Sequence, residues 1–244
     1  MSANHSEITQ RHLAPSQTAE FYHDRFVTDQ VAAFLRLMAE WPAALVADVG
    51  GGCGYFARAL QGASGWRVRV LDLDAPSVQA CHQHGIDAAV ADALLPPVRG
   101  DEAAATFNLV LHHLVGRSES ETRRLQVCAL RAWRDQVPRL CVHEYIYESG
   151  RFGGLSGALI YAITSSRLLS SIGQAIARWV PSLRANTFGV GVRFRTAAEW
   201  QVLFGEAGWR IDARVVGPDE PISLARRLLF IRSCRRDSFL LVPH

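Results

Sequence analysis

The stretch that decides the fold runs from Ala44 to Leu60 and reads ALVADVGGGCGYFARAL. An apolar run leads in and a helical pattern leads out. Between them Gly50, Gly51, Gly52 and Gly54 crowd into five positions. Glycine has no Cβ, so it accepts positive φ and lets another group approach the main chain closely. A strand, a glycine turn and a helix in that order make a seat for a ligand. Asp48 stands just before the turn, at the foot of that seat.

The same alternation continues outward. Residues 19–40 place Phe26, Gln30, Ala33, Phe34 and Leu37 at helical spacing, and Pro42 ends that helical stretch. After the glycine turn, RVRVLDLD reads as a strand and PSVQACHQHG as a helix, with Pro76 near its start and Gly85 near its end. DAAVADA and FNLVLHHLV read as the third and fourth strands. SESETRRLQVCALRAWRDQV is a long helix opening on serines and acids, and RLCVHEYIYE is the fifth strand. A helix from Thr196 to about Gly208 precedes two closing strands, RIDARVVGP and DSFLLVPH. Strands separated by helices at this rhythm predict an α/β fold, a mostly parallel sheet with helices on both faces. Right-handed crossovers bring the carboxyl ends of its parallel strands to one edge, where ligands bind. The glycine turn sits on that edge.

Composition narrows the function. The 244 residues are 49% hydrophobic and 20% charged, a globular balance with a formal net charge of only +3. That excess argues against a nucleic-acid groove, and the late cluster Arg226, Arg227, Arg232, Arg235 and Arg236 reads first as a solvated face. The five cysteines are scattered without a CxxC pair, which fits reduced thiols in a cytoplasmic protein. The segment MSANHSEITQRHL has no apolar leader, and no apolar run is long enough to span a membrane. His82, His84, His112 and His113 do not read as a ligand set, so no metal is expected.

Two further acids complete the edge. Asp72 ends the second strand, 22 positions after Gly50, and Asp92 follows the third, 20 positions after Asp72. A carboxylate at the first position can accept both hydroxyls of a ribose, and one at the second can accept from an exocyclic amine. Glycine turn, acid and acid describe a nucleoside laid across three strand ends. A dinucleotide is the rival, because Gly52, Gly54 and Ala57 also match G-x-G-x-x-A. Asp48 weighs against it: a carboxylate there faces a pyrophosphate with like charge but suits a sulfonium or an α-amine.

The segment DVGGGCGYFARAL, with VLDLD, VADAL and NLVLHHLV after it, resembles the class I S-adenosylmethionine (SAM) methyltransferases over residues 44 to about 148. The resemblance implies seven strands, six parallel and the last antiparallel. It implies that Asp48, Gly50, Gly52 and Gly54 line the methionine part of SAM, that Asp72 holds the ribose, and that Asp92 beside Ala93 meets the adenine. His112 then falls at the end of the fourth strand, where the family contacts the cofactor. One departure is Asn108, where the family usually carries an acid at the start of the fourth strand, far from the site. The chain accordingly divides into a helical cap (1–42), a SAM-binding core (43–148), a lid (149–193) and a C-terminal helix with the closing hairpin (194–244).

The chemistry of methyl transfer asks mainly for positioning and exclusion of water, plus a base when the acceptor must lose a proton. Histidine suits that task, and His112, His113 and His143 lie near strand ends. Glu144, Tyr145 and Tyr147 could shape an acceptor pocket. From the cap, Tyr22 could contact the cofactor and Arg25 could pair with its carboxylate. The lid reads as a helix over 155–179, with Tyr161, Thr164, Ser165, Asn186 and Thr187 as polar candidates and Tyr161 as a catalytic one. Leu168, Leu169 and Trp179 could face a second copy, so monomer and homodimer both stay open. The leading expectation is methylation of a small secondary metabolite at O, N or C. The alternative keeps the cofactor without methyl transfer: the amine of SAM closes on its own γ carbon, giving azetidine-2-carboxylate and methylthioadenosine. An NAD-dependent oxidoreductase and a non-catalytic protein of the same fold are disfavoured.

Overall fold

A computed structural model describes residues 10–11, 26–150, 153–166 and 189–244. Its first helix, α1 (Val27–Leu37), buries Val31, Phe34 and Leu37, one apolar stripe at helical spacing. The chain then alternates: β1 (Leu45–Val49), α2 (Tyr55–Ala63), β2 (Arg67–Asp72), α3 (Ala75–Gln83), β3 (Asp87–Val90), β4 (Glu102–Asn108), a 3₁₀ turn (Leu111–His113), α4 (Glu119–Ala132) and β5 (Leu140–Glu148). It continues with α5 (Leu155–Ser165), α6 (Ala197–Glu206), β6 (Trp209–Val216), α7 (Leu224–Leu228) and β7 (Ser233–Pro243). Side-chain caps start several helices where the sequence offers them: Asp74 accepts from the Ser77 N–H, Ser118 from Glu121, and Thr196 forms a reciprocal capping box with Glu199.

The strands form one seven-stranded sheet in the order β3-β2-β1-β4-β5-β7-β6. All neighbours are parallel except β7, which runs antiparallel to both β5 and β6. Burial on both faces explains the unbroken apolar character of β1. On one face Val46, Val68 and Val70 pack under α1, α2 and α3. On the other, Ala47, Val49 and Phe107 pack under α4 and α6, with Trp133, Leu203 and Phe204. Each fully buried side chain of that size contributes about 1.5–3 kcal/mol. The strand order reverses between β1 and β4, so the crevice at their carboxyl ends is the switch point of the sheet.

The fourth strand corrects the expectation drawn from FNLVLHHLV. It covers Glu102–Asn108, and the apolar run after it is a turn. The strand was hard to read because it begins EAAA, and its leading Glu102 is buried by an ion pair with Arg69 on β2. Leu109 then takes φ +60°, a left-handed conformation that costs a branched side chain roughly 1–2 kcal/mol and ends the strand. Two consequences follow. Asn108 lies at the carboxyl end of β4, at the site rather than far from it, and His112 lies in the 3₁₀ turn beyond the strand.

Elsewhere the differences are smaller. The last strand is longer than read, with β7 starting at Ser233, while β6 ends at Val216, two residues short of the stretch read as a strand. The lid helix is described as α5 to Ser165; its expected continuation to 179, with Leu168, Leu169, Trp179, Asn186 and Thr187, lies outside the described residues, as do Tyr22 and Arg25. In the late basic cluster, Arg226 and Arg236 both pair with Glu220, and Arg235 pairs with Asp237. No helix among the described residues is long and apolar enough to cross a membrane.

Candidate functional site

The glycine turn is built around Asp48. That carboxylate is fully buried. Its Oδ1 accepts from Asn108 Nδ2 at 3.1 Å, while Oδ2 has no hydrogen-bond partner. A Cβ added to Gly51 would collide with Oδ2, so the turn is wrapped directly over the acid. Burial pushes the Asp48 carboxyl up from 3.8 to about 7, against the hydrogen bond from Asn108 and with the charge of Asp72. Gly52 has φ +54° and open space where a Cβ would stand, which leaves main chain bare to a ligand.

Asp72 is oriented by the same turn. Its Oδ2 accepts the Gly52 N–H at 2.8 Å and its Oδ1 the Asp74 N–H at 2.8 Å. Burial raises its pKa, and these backbone donors oppose the rise. Gly50 donates to the Leu71 carbonyl at 2.7 Å, clamping the turn onto the end of β2. Asp92 lies beyond β3, partly exposed, with Oδ1 accepting the Leu94 N–H at 2.9 Å. The structure therefore joins the turn to Asp72 by hydrogen bonds, packs Asp48 beneath the turn and places Asp92 just beyond β3. Carboxylates held by backbone N–H groups keep lone pairs for hydroxyl and amine donors of a ligand.

A second group stands at the carboxyl ends of β4 and β5. His112 is buried, and its Nδ1 lies 2.6 Å from Oε2 of the fully buried Glu144. Glu144 Oε1 accepts the Leu111 N–H at 2.7 Å, so one carboxylate holds both the turn and the ring on it. Gln126 on α4 fixes the turn from the other side through the Leu111 carbonyl at 2.9 Å. Nε2 of His112 makes no hydrogen bond among the described residues. The His113 ring lies 4.1 Å from that of His112, and burial with the neighbouring His112 holds its pKa well below the usual histidine range.

Phe194 was not singled out by the sequence, yet it closes this group. Its ring stacks on Tyr147 at 4.3 Å and on His112 at 5.0 Å. Tyr145 stands edge-on to both His112 and Phe194. Backbone bonds from Arg193 N–H to the His112 carbonyl and from Tyr147 N–H to the Arg195 carbonyl lay this segment along β5. Buried Arg193 and Arg195 then anchor it to Glu119 on α4 and Glu199 on α6. Burial and the adjacent Arg193 bring the Arg195 guanidinium down to about 10. The Tyr161 hydroxyl donates to the Gly116 carbonyl at 3.1 Å, tying α5 to the chain beyond the histidines. Among the described residues no three His, Cys, Asp or Glu side chains could hold a metal ion.

No protein-family model and no curated protein matches the chain. Solved structures do. LepI in complex with SAM is 17% identical, with 86% of this chain and 46% of LepI covered at TM-score 0.54. Magnesium protoporphyrin IX methyltransferase (ChlM) from Synechocystis PCC 6803, with bound S-adenosylhomocysteine, is 15% identical over 91% of this chain and 83% of its own, at TM-score 0.55. The O-methyltransferase NcsB1 from neocarzinostatin biosynthesis, in complex with SAM and 2-hydroxy-5-methyl naphthoic acid, is 20% identical over 90% of this chain and 57% of its own, at TM-score 0.50. The chain thus spans about half the length of LepI. Likeness at these identities is likeness of fold, and with the strand order and the single antiparallel strand it gives this chain the class I SAM-dependent methyltransferase fold.

Proposed function

We propose that the chain binds SAM along the carboxyl edge of β1, β2 and β3 and methylates a small molecule held over β4 and β5. The observation that carries the reaction is the buried His112–Glu144 pair, 2.6 Å apart at the switch point of the sheet. The observation that carries the cofactor is Asp48 Oδ2, a buried carboxylate oxygen lacking a partner beneath an open glycine turn. A cationic group seated on that turn supplies the missing charge; a pyrophosphate would add to the excess. In this reading the open main chain at Gly52 meets the methionine portion, Gly50 and Gly54 let the turn pack against Val110 and against Ile86 and Cys81, Asp72 accepts from the ribose hydroxyls and Asp92 from the adenine amine. Tyr22 and Arg25 remain candidates for closing over it.

Bound there, SAM supplies a methyl group already activated on a sulfonium. The protein's work is to place the acceptor and take its proton. Nε2 of His112 receives the acceptor's O–H or N–H proton as the new bond to carbon forms. Glu144 stabilises the resulting imidazolium through Nδ1 and holds the ring in that tautomer. Phe194, Tyr145 and Tyr147 supply an apolar wall that keeps water from the reacting groups.

Calorimetry tests the cofactor: S-adenosylhomocysteine binds, NAD(H) does not, and Asp72→Ala abolishes binding while leaving the circular dichroism spectrum intact. NAD(H) binding would end this reading. Incubation with SAM alone, read by mass spectrometry, tests the reaction. SAM that stays intact until an acceptor is added supports methyl transfer. Methylthioadenosine formed without acceptor, at a rate proportional to protein, would replace it with cyclisation to azetidine-2-carboxylate.

A further inference from the structure

Away from the glycine turn, α1 leans across β5, β7 and β6 and leaves a pocket of about 210 Å³. For comparison, an apolar cavity of about 150 Å³ accommodates benzene. Its walls are Ala32 and Ala33 on α1 and Val215 and Pro218 at the end of β6.

Its polar groups are unevenly satisfied. His143 is buried, and its Nδ1 lies 2.6 Å from Ser238 Oγ, its cross-strand partner on β7. Its Nε2 is buried with no hydrogen-bond partner, and so is Nε of Arg236 in the same wall. Orphaned buried nitrogens cost about 1–3 kcal/mol each, so two in one pocket need a reason. At the exposed rim, Arg36 makes no ion pair among the described residues. Asp29 also faces the pocket, and it is taken up by Arg236 Nη2 at 3.4 Å. Burial and Arg236 hold His143 down at about 4, with Asp29 pulling the other way, so the ring is neutral. When the Ser238 hydroxyl donates to Nδ1, the ring proton sits on Nε2.

We infer that this pocket is a binding site for a small organic carboxylate about the size of benzoate. Its apolar body lies against Ala32, Ala33, Val215 and Pro218. Its oxygens accept from Arg36 at the rim, and His143 Nε2 and Arg236 Nε, buried beneath the pocket wall, donate to them once their side chains turn outward. Arg236 is shared between Asp29 and Glu220, and Glu220 also pairs with Arg226; with Arg36 that makes three guanidiniums against two carboxylates, a positive excess that a monoanion neutralises. None of these residues belongs to the glycine turn, Asp72, Asp92 or the His112–Glu144 pair, so the site is separate from the one proposed for SAM.

The test is a protein-observed NMR titration of the full chain with sodium benzoate, and with benzamide as the uncharged isostere. Expected are saturable one-site binding, shifts centred on α1 and β7, and affinity about tenfold weaker for benzamide and for Arg36→Ala, the effect of losing a charge-assisted hydrogen bond. His143→Gln is the interior variant, and Arg36→Ala, being exposed, keeps the test valid if His143→Gln fails to fold. Saturating S-adenosylhomocysteine should leave benzoate binding unchanged. No saturable binding, equal affinity for benzamide, indifference to Arg36→Ala, or competition with S-adenosylhomocysteine would each overturn the assignment.

Discussion

Stability and cofactor binding should pull in opposite directions at Asp48. Its carboxyl is buried beneath Gly51, Oδ2 has no partner, and burial raises its pKa from 3.8 to about 7. An acid with a higher pKa in the folded state is preferred there in its protonated form. Folding therefore carries no penalty from Asp48 below pH 3.8, loses stability as pH climbs from 3.8 to about 7, and carries the full penalty above that. At about 1.4 kcal/mol per pH unit between the two pKa values, the full penalty is about 4 kcal/mol. It has reached only about 1.5–2 kcal/mol at about pH 5, so about 2–3 kcal/mol is added between there and about pH 8. Asp48→Asn keeps the Oδ1 acceptor for Asn108 and removes the charge. The ligand-free variant should be more stable than the wild type, by a gap that widens with pH. At about 2–4 °C per kcal/mol for a chain of this size, the gap in Tm grows by roughly 4–12 °C between those two pH values. Thermal melts followed by circular dichroism in the two buffers read it directly. The same variant should bind SAM far more weakly, and wild-type affinity should climb as pH rises toward the Asp48 pKa, by about tenfold per unit at most. A melting gap that is the same at both pH values would refute the reasoning, because Asp48 would then carry no buried charge.

Other perturbations test neighbouring parts of the argument. Glu144→Gln still accepts from the Leu111 N–H but loses the charge facing His112 Nδ1; turnover should fall roughly a hundredfold or more, with S-adenosylhomocysteine affinity unchanged by calorimetry. Gly51→Ala drives a Cβ into Asp48 Oδ2 and to 3.1 Å from Val70 Cγ1; urea titration should show a loss of about 1–3 kcal/mol, as for other overpacked sites, together with weaker cofactor binding. Deleting residues 237–244 removes buried Phe239, Leu240 and Leu241 and leaves β5 and β6 without the strand that joins them; the product should lack a cooperative unfolding transition.

What the amino-acid order disclosed, and what it withheld, follows from how local each feature is. The glycine turn and Asp72 depend on neighbours within one strand–turn–helix unit, so their spacing alone locates them, and the hydrogen bond from Gly52 to Asp72 joins units whose order any βαβ crossover imposes. The fourth strand failed for the opposite reason. EAAATF is held as a strand by Arg69 on β2 and by ladders to β1 and β5, none of which leaves a mark on its own hydrophobic pattern. Shifting that strand moved Asn108 from an unremarkable far end to the hydrogen bond that orients Asp48. The arrangement proposed for catalysis was the least legible part, because it is assembled from segments far apart in the chain. Glu144 was visible as a residue near a strand end, but its grip on His112 required β4 and β5 to be adjacent. Phe194 had no local signal at all: a lone aromatic after a glycine-rich stretch is placed only by the backbone bonds of Arg193 and Arg195 to the far side of the site. If His112 is the base, its partner and its wall come from separate segments and can change without disturbing the glycine turn. The identity of the acceptor here is therefore to be sought around Phe194, Tyr145 and Tyr147.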